Sequence, residues 1–158
     1  MSDALGSNRQ RSRDITIRDL LPADEAGWRR LWDGYNAFYE TAVAPEITAR
    51  TWDRILDPAS SVFGRLAEAD GSSVGFSLSI IHEGTWVPDR VCYLEDLYVD
   101  PICRGRGIGR RLIQDLIEQG RERGWATLYW HTRRDNPGRR LYDEFITADD
   151  FVRYRLPL

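Results

Sequence analysis

The feature that most constrains this chain is the run Arg104-Gly105-Arg106-Gly107-Ile108-Gly109, set between a strand pattern and a helix pattern. Before it, residues 91–99 (VCYLEDLYV) are rich in β-branched and aromatic side chains and stop at Asp100-Pro101. After it, Ile108, Leu112, Ile113, Leu116 and Ile117 recur at the spacing of a helix face, and Gly124 closes that helix. Glycines let a backbone turn tightly and bring several N–H groups onto one anion. The positive end of the following helix adds to the attraction. Arg104, Arg106, Arg110 and Arg111 supply further positive charge, so the segment reads as a pyrophosphate site. Residues 126–132 are apolar on both faces and read as a buried strand, which makes this span a βαβ unit with a parallel strand pair.

Two familiar phosphate binders are excluded. A dinucleotide fingerprint needs G-x-G-x-x-G. Counted from Gly105 the third glycine position holds Arg110, and counted from Gly107 it holds Leu112. A P-loop needs a lysine, and all 22 basic residues of this 158-residue chain are arginine. The net charge of −3 argues against nucleic acid as the main partner. No apolar run approaches the roughly 18 residues of a membrane span. Cys92 and Cys103 form no CxxC pair, and His82 and His131 lie on separate strand patterns without ligand spacing. No metal site is expected, and both histidines are assigned structural roles. Residues 1–13 are polar with scattered arginines, so they read as a disordered tail rather than a secretory signal. Free thiols without a signal point to the cytoplasm.

The rest of the chain fits one α+β domain over residues 14–158 with a mixed sheet. Ile15 and Ile17 mark a first strand. A helix opens at Pro22 and carries Trp28, Leu31, Trp32, Tyr35, Phe38 and Tyr39 to about Ala42, where Pro45 breaks it. Thr48 is placed to cap a second helix that ends at Asp57-Pro58. Residues 62–69 and 74–81 form a hairpin around Asp70-Gly71. Asn136-Pro137 opens a short helix to Phe145, and residues 151–156 alternate as a closing strand.

Arg104-x-x-Gly107-x-Gly109 resembles the acyl-CoA loop, [Q/R]-x-x-G-x-[G/A], of the GNAT superfamily of N-acyltransferases. Residues 93–99 (YLEDLYV) ahead of the loop resemble the diamine N-acetyltransferases and the small histone- and polyamine-acetylating enzymes of yeast. Leu141-Tyr142 resembles the family's LY pair. The resemblance implies a splayed pair of parallel strands and an acetyl-CoA co-substrate. It implies pantetheine binding beside Leu97 and Val99, and the pyrophosphate on the amides of Gly105, Arg106, Gly107, Gly109 and Arg110. In the family an asparagine precedes the tyrosine by seven residues. Here Asn136 precedes Tyr142 by six, so a helix cap competes with a cofactor contact at Asn136. The family's glycine-aromatic pair after the tyrosine is absent.

A lysine-like amine has a pKa of about 10.4 and must lose a proton before attack. Glu95 matches the glutamate base of the diamine enzymes. Tyr142 is the matching donor for the thiolate that leaves. Alternation puts Asp96 on the face opposite Glu95 unless a bulge intervenes, and the family carries such a bulge. Tyr39, Glu40 and Asp96 are the acceptor-binding candidates, suited to a small cationic amine or a protein lysine. The reading is an acetyl-CoA-dependent N-acetyltransferase acting by direct attack in a ternary complex, with a homodimer allowed. Its rival is a non-catalytic acyl-CoA-binding regulatory module.

Overall fold

The computed structural model describes residues 15–158, so the expected tail over residues 1–13 lies outside the described residues. The chain runs β1 (Ile15–Asp19), a 3-10 turn, α1 (Glu25–Phe38), α2 (Pro45–Leu56), β2 (Val62–Ala69), β3 (Ser72–His82), β4 (Val91–Val99), α3 (Ile108–Arg123), β5 (Thr127–Trp130) and α4 (Arg139–Tyr142). One five-stranded sheet holds the strands in sequence order. The first four are antiparallel, while β4 and β5 are parallel. The β2–β3 hairpin turns on Asp70 and Gly71, at φ 52° and 74°, the left-handed pair that a two-residue turn of matching twist requires.

Both faces of the sheet are covered. On one, α1 and α2 pack Trp28, Leu31, Trp32 and Trp52 onto Leu66, Phe76, Leu78 and Tyr98. On the other, α3 sets Ile108, Leu112, Ile113 and Leu116 against Ile15, Ala67, Val74 and Leu94. Each fully buried side chain of this kind contributes roughly 1.5–3 kcal/mol. The helix order follows from the sequence pattern: a helix connecting the parallel pair β4 and β5 must cross one face of the sheet, and α1 and α2 take the other.

Five expectations are corrected. Helix α1 ends at Phe38 rather than near Ala42. The Thr41 amide donates to the Asn36 carbonyl (2.9 Å) and the Glu40 amide to the Ala37 carbonyl (3.1 Å). These bonds close a Schellman-type end with Glu40 in the left-handed conformation at φ 52°. Pro45 starts α2, and Thr48 sits inside it. The buried Thr48 hydroxyl caps nothing and accepts from Trp32 Nε1 at 3.1 Å. Strand β5 is shorter than expected and exposed to half-buried, because it is the sheet edge with β4 as its one strand neighbour. Residues 151–158 form no strand; Phe151, Tyr154 and Leu156 are 78%, 92% and 82% exposed. The helix expected from Asn136 to Phe145 contracts to α4 followed by single turns, with Phe145 and Ile146 amides donating to the Tyr142 carbonyl.

Candidate active site

The site begins with a register change. Leu78 of β3 pairs with Asp96 of β4, and its neighbour Ser79 pairs with Leu94, which leaves Glu95 as an extra residue in a β-bulge. The bulge switches the faces of β4. Leu94 packs on α3, whereas Tyr98 packs with α1. Glu95 itself is exposed. Simple alternation is therefore broken at this residue, by a bulge such as the resemblance implied.

Next to the bulge the sheet opens. The parallel ladder runs from Val91↔Thr127 to Leu94↔Trp130 and stops there, although β4 continues to Val99. The edge of residues 95–99 that would face β5 carries no ladder. A backbone amide or carbonyl of an extended ligand finds unpaired partners on such an edge.

Along this edge lies a cavity of about 420 Å³, lined by Leu97, Val99, Arg104, Gly105, Gly107, Gly109, Arg110, Asn136, Leu141 and Tyr142, among others. At its floor the first α3 hydrogen bond is from Arg111 N–H to the Gly107 carbonyl, 3.1 Å. The amides of Ile108, Gly109 and Arg110 thus have no carbonyl within the helix. Gly105 and Gly107 both adopt φ 78°, a conformation that costs a side chain about 1–2 kcal/mol. Arg104 donates from Nε to the Val99 carbonyl at 3.1 Å, and its guanidinium lies 5.7 Å from the Tyr98 ring centre. Arg110 is ion-paired with Glu144. The side chain of Arg106 is not among the cavity-lining groups. Converging amides, two arginines and an open apolar edge fit a ligand with a diphosphate at one end and amides along its length.

Tyr142 stands between this cavity and a second, small cleft, and lines both. Burial, helped by the proximity of Tyr39, pushes its phenol up to about 12. Tyr39 also lines both spaces. Its hydroxyl accepts from Asn136 Nδ2 at 3.3 Å, and Thr132 Oγ1 accepts from the same nitrogen at 2.8 Å. Asn136 Oδ1 accepts from the Gly138 amide at 2.8 Å. Asn136 therefore closes a turn ahead of α4, whose N-cap position is Gly138, and also borders the cavity.

The second cleft is bounded by Glu95, Leu94, Leu97, Trp130, His131, Tyr35, Tyr39 and Tyr142. Two expected acceptor residues lie outside it. Glu40 is exposed beyond the end of α1, carried off the helix face by its left-handed turn. Asp96 is 9% exposed and turned onto the hydroxyl of Tyr35. Burial pushes its carboxyl up to about 7, an effect opposed by the Tyr35 hydrogen bond and reinforced by Glu95. Burial and the Asp96 carboxylate push the Tyr35 phenol upward, so it remains the donor.

Sequence reasoning missed His131. The β4–β5 register ends at Leu94↔Trp130, so the next residue on each strand is Glu95 and His131, and both border the cleft. Its signal was the alternation that puts Tyr129 and His131 on one face, but the register that sets them against Tyr93 and Glu95 is not written in either strand alone. Arg133 was also missed; its guanidinium lies 5.3 Å from the Tyr39 ring centre.

Residues 28–145 match the family model described as Acetyltransferase (GNAT) family. A D-amino-acid N-acetyltransferase of Saccharomyces cerevisiae is 33% identical over 144 residues, covering 89% of each chain. A thialysine N-epsilon-acetyltransferase of Mus musculus is 37% identical over 91 residues, 54% of this chain and 50% of its own. The crystal structure of a ribosomal-protein-alanine N-acetyltransferase from Brucella melitensis superposes with a TM-score of 0.76 at 23% identity, covering 91% of this chain and 99% of that one.

Proposed function

The chain belongs to the GNAT acetyltransferase family, and on that premise we propose how its residues carry out the transfer. It is an acetyl-CoA-dependent N-acetyltransferase. The observation that carries the proposal is the opening of the β4–β5 ladder beyond Leu94, where the free edge at Leu97 and Val99 lines one cavity with the glycine loop. Acetyl-CoA is a co-substrate that supplies an acetyl thioester. The amides of Gly105, Arg106, Gly107, Gly109 and Arg110 hold its pyrophosphate, aided by Arg104. The open edge at Leu97 and Val99 binds its pantetheine amides, in a cavity that Asn136 also lines.

Glu95 accepts a proton from the acceptor's ammonium, so that the neutral amine attacks the acetyl carbonyl in a ternary complex. Tyr142 donates a hydrogen bond to the departing sulfur. Its phenol at about 12 is a weaker acid than a thiol of about 8.5 by some 3.5 units, about 5 kcal/mol. Tyr142 therefore stabilises the thiolate as a fixed donor and keeps its own proton.

The acceptor is a small amine with cationic character, drawn to Glu95 and held against Tyr39. A second reading, an amine that also bears a carboxylate, is favoured by the Arg133 guanidinium over Tyr39, and the yeast relative is named for amino-acid acceptors. Comparing an amino acid with its amide separates the two. We further assign the chain to the cytoplasm, in keeping with the free thiols of Cys92 and Cys103. Among the described residues no helix is long and apolar enough to cross a membrane. A homodimer is supported by the exposed apolar side chains of residues 151–158.

The test follows free CoA thiol with a panel of amines. Thiol release that depends on a cationic amine, with KM rising with salt as screening shortens from about 10 Å at 0.1 M to about 3 Å at 1 M, is the expected result. Tyr142→Phe should lose about 10²-fold in kcat with acetyl-CoA affinity unchanged. No thiol release with any amine would sink the proposal.

A further inference from the structure

We propose that His131 carries the acceptor's proton out of the cleft, receiving it from Glu95 and releasing it to solvent. This rests on the assignment of Glu95 as the first proton acceptor.

Every turnover frees one proton from the attacking ammonium. The N–H bond breaks, an O–H bond forms on the Glu95 carboxylate, and Glu95 must then lose that proton before it can act again. Glu95 is itself exposed, so a relay gains where the bound amine covers its carboxyl, and the group that then discharges it has to border the same cleft and reach water. His131 borders the cleft with Glu95, is exposed, and follows the last β5 residue as Glu95 follows the last ladder-paired residue of β4. Imidazole is the side chain whose ordinary charge change falls near neutral pH.

The ring is held in place. Its Nδ1 lies 3.4 Å from Tyr93 Oη, and the ring meets those of Tyr93 and Tyr129 edge-on at 5.4 and 5.7 Å. Those two tyrosines stack on one another at 5.0 Å. With Nδ1–H donated to Tyr93, Nε2 keeps the lone pair that takes the proton. The Glu95 O–H bond breaks as the Nε2–H bond forms; the imidazolium then passes its proton to water and both groups return to their starting state. No electron moves. The titratable groups that border the cleft or the ring with His131 are Tyr93 and Glu95 from β4, Tyr129 from β5, Tyr35 from α1, Tyr39 just past its end, and Tyr142 from α4. Beyond them, Arg153 and Asp96 act on Tyr93; of the two carboxylates, Glu95 is the one that borders the cleft.

The test uses His131→Ala and His131→Gln in the full chain, each checked for unchanged acetyl-CoA affinity by calorimetry. Both should lower kcat at pH 7 by about 10-fold or more with little change in KM for acetyl-CoA, and the loss should shrink as pH rises. Added imidazole should restore the alanine variant in proportion to its concentration, while pyrazole should not. A parental kcat and pH profile in either variant, or a loss that imidazole leaves untouched, overturns the proposal. If the parent itself releases no thiol with any amine, the failure belongs to the assigned reaction and not to His131.

Discussion

Glu95 and Asp96 are adjacent carboxylates with opposite environments, because Glu95 is the extra residue of the bulge and Asp96 resumes the ladder. Glu95 is exposed at the cleft, and Asp96 is buried against Tyr35. The consequence for stability has a definite sign. Asp96 rises from 3.8 to about 7 on folding, so the folded state holds its proton more tightly than the unfolded chain. Its contribution is fully present below about pH 4 and lost as pH rises through 7, by roughly 4 kcal/mol at most. Asp24 and Asp100 behave oppositely. The Arg18 and Arg30 guanidiniums hold their carboxyls down, so their contributions are lost as pH falls. Urea unfolding at pH 5 and pH 8 should show the parent losing stability over that interval, and Asp96→Asn losing markedly less. Equal slopes would mean that Asp96 is not ionising in the core. At this scale the sequence names both carboxylates and Tyr142, but not their burial. Glu40 and Asp96 were legible as charges near the site, yet a left-handed turn and a bulge, neither visible in composition, took them out of the cleft.

Among the elements, the best-read segment is β4, the glycine loop and α3, where alternation, Asp100-Pro101, the glycines and a 3.6-residue stripe all agree. The least legible parts are ends and edges. Helix α1 stops at Phe38 although its apolar spacing continues to Tyr39, because the carbonyls of Asn36 and Ala37 are satisfied by the turn at Glu40. Strand β5 was read as buried from its apolar letters, but an edge strand leaves one flank to solvent. The loop–helix junction gives the sharpest test at this scale. Gly107 is the left-handed residue that opens α3. A glutamate there adds about 1–2 kcal/mol of backbone strain and places negative charge where an anion should bind. Gly107→Glu should abolish detectable acetyl-CoA binding in calorimetry while the far-UV dichroism of the fold persists. Unchanged affinity in a folded variant would put the anion site elsewhere.

The whole molecule turns a sheet with two covered faces into a reactive gap. Helices α1 and α2 brace one face and α3 the other, and the gap arises where β4 outruns β5. The fold class and the parallel pair were legible in the order of patterns, and the comparisons agree with them. The shape of the gap was not, since it depends on register between strands distant in sequence. One compositional fact also acts at this scale: with arginine as every one of its 22 basic residues, the chain offers no internal ε-amine to its own acetyl donor. On the proposed mechanism the amine comes from outside and arrives at Glu95. The pH dependence of kcat for the parent and Glu95→Gln, measured with one cationic amine from pH 6.5 to about 10, the pKa range of the amine, tests this most directly. The account predicts that the variant is slowest relative to the parent at neutral pH and that the gap closes as free amine becomes abundant. A ratio between the two that stays constant with pH, or a variant as fast as the parent throughout, would contradict it.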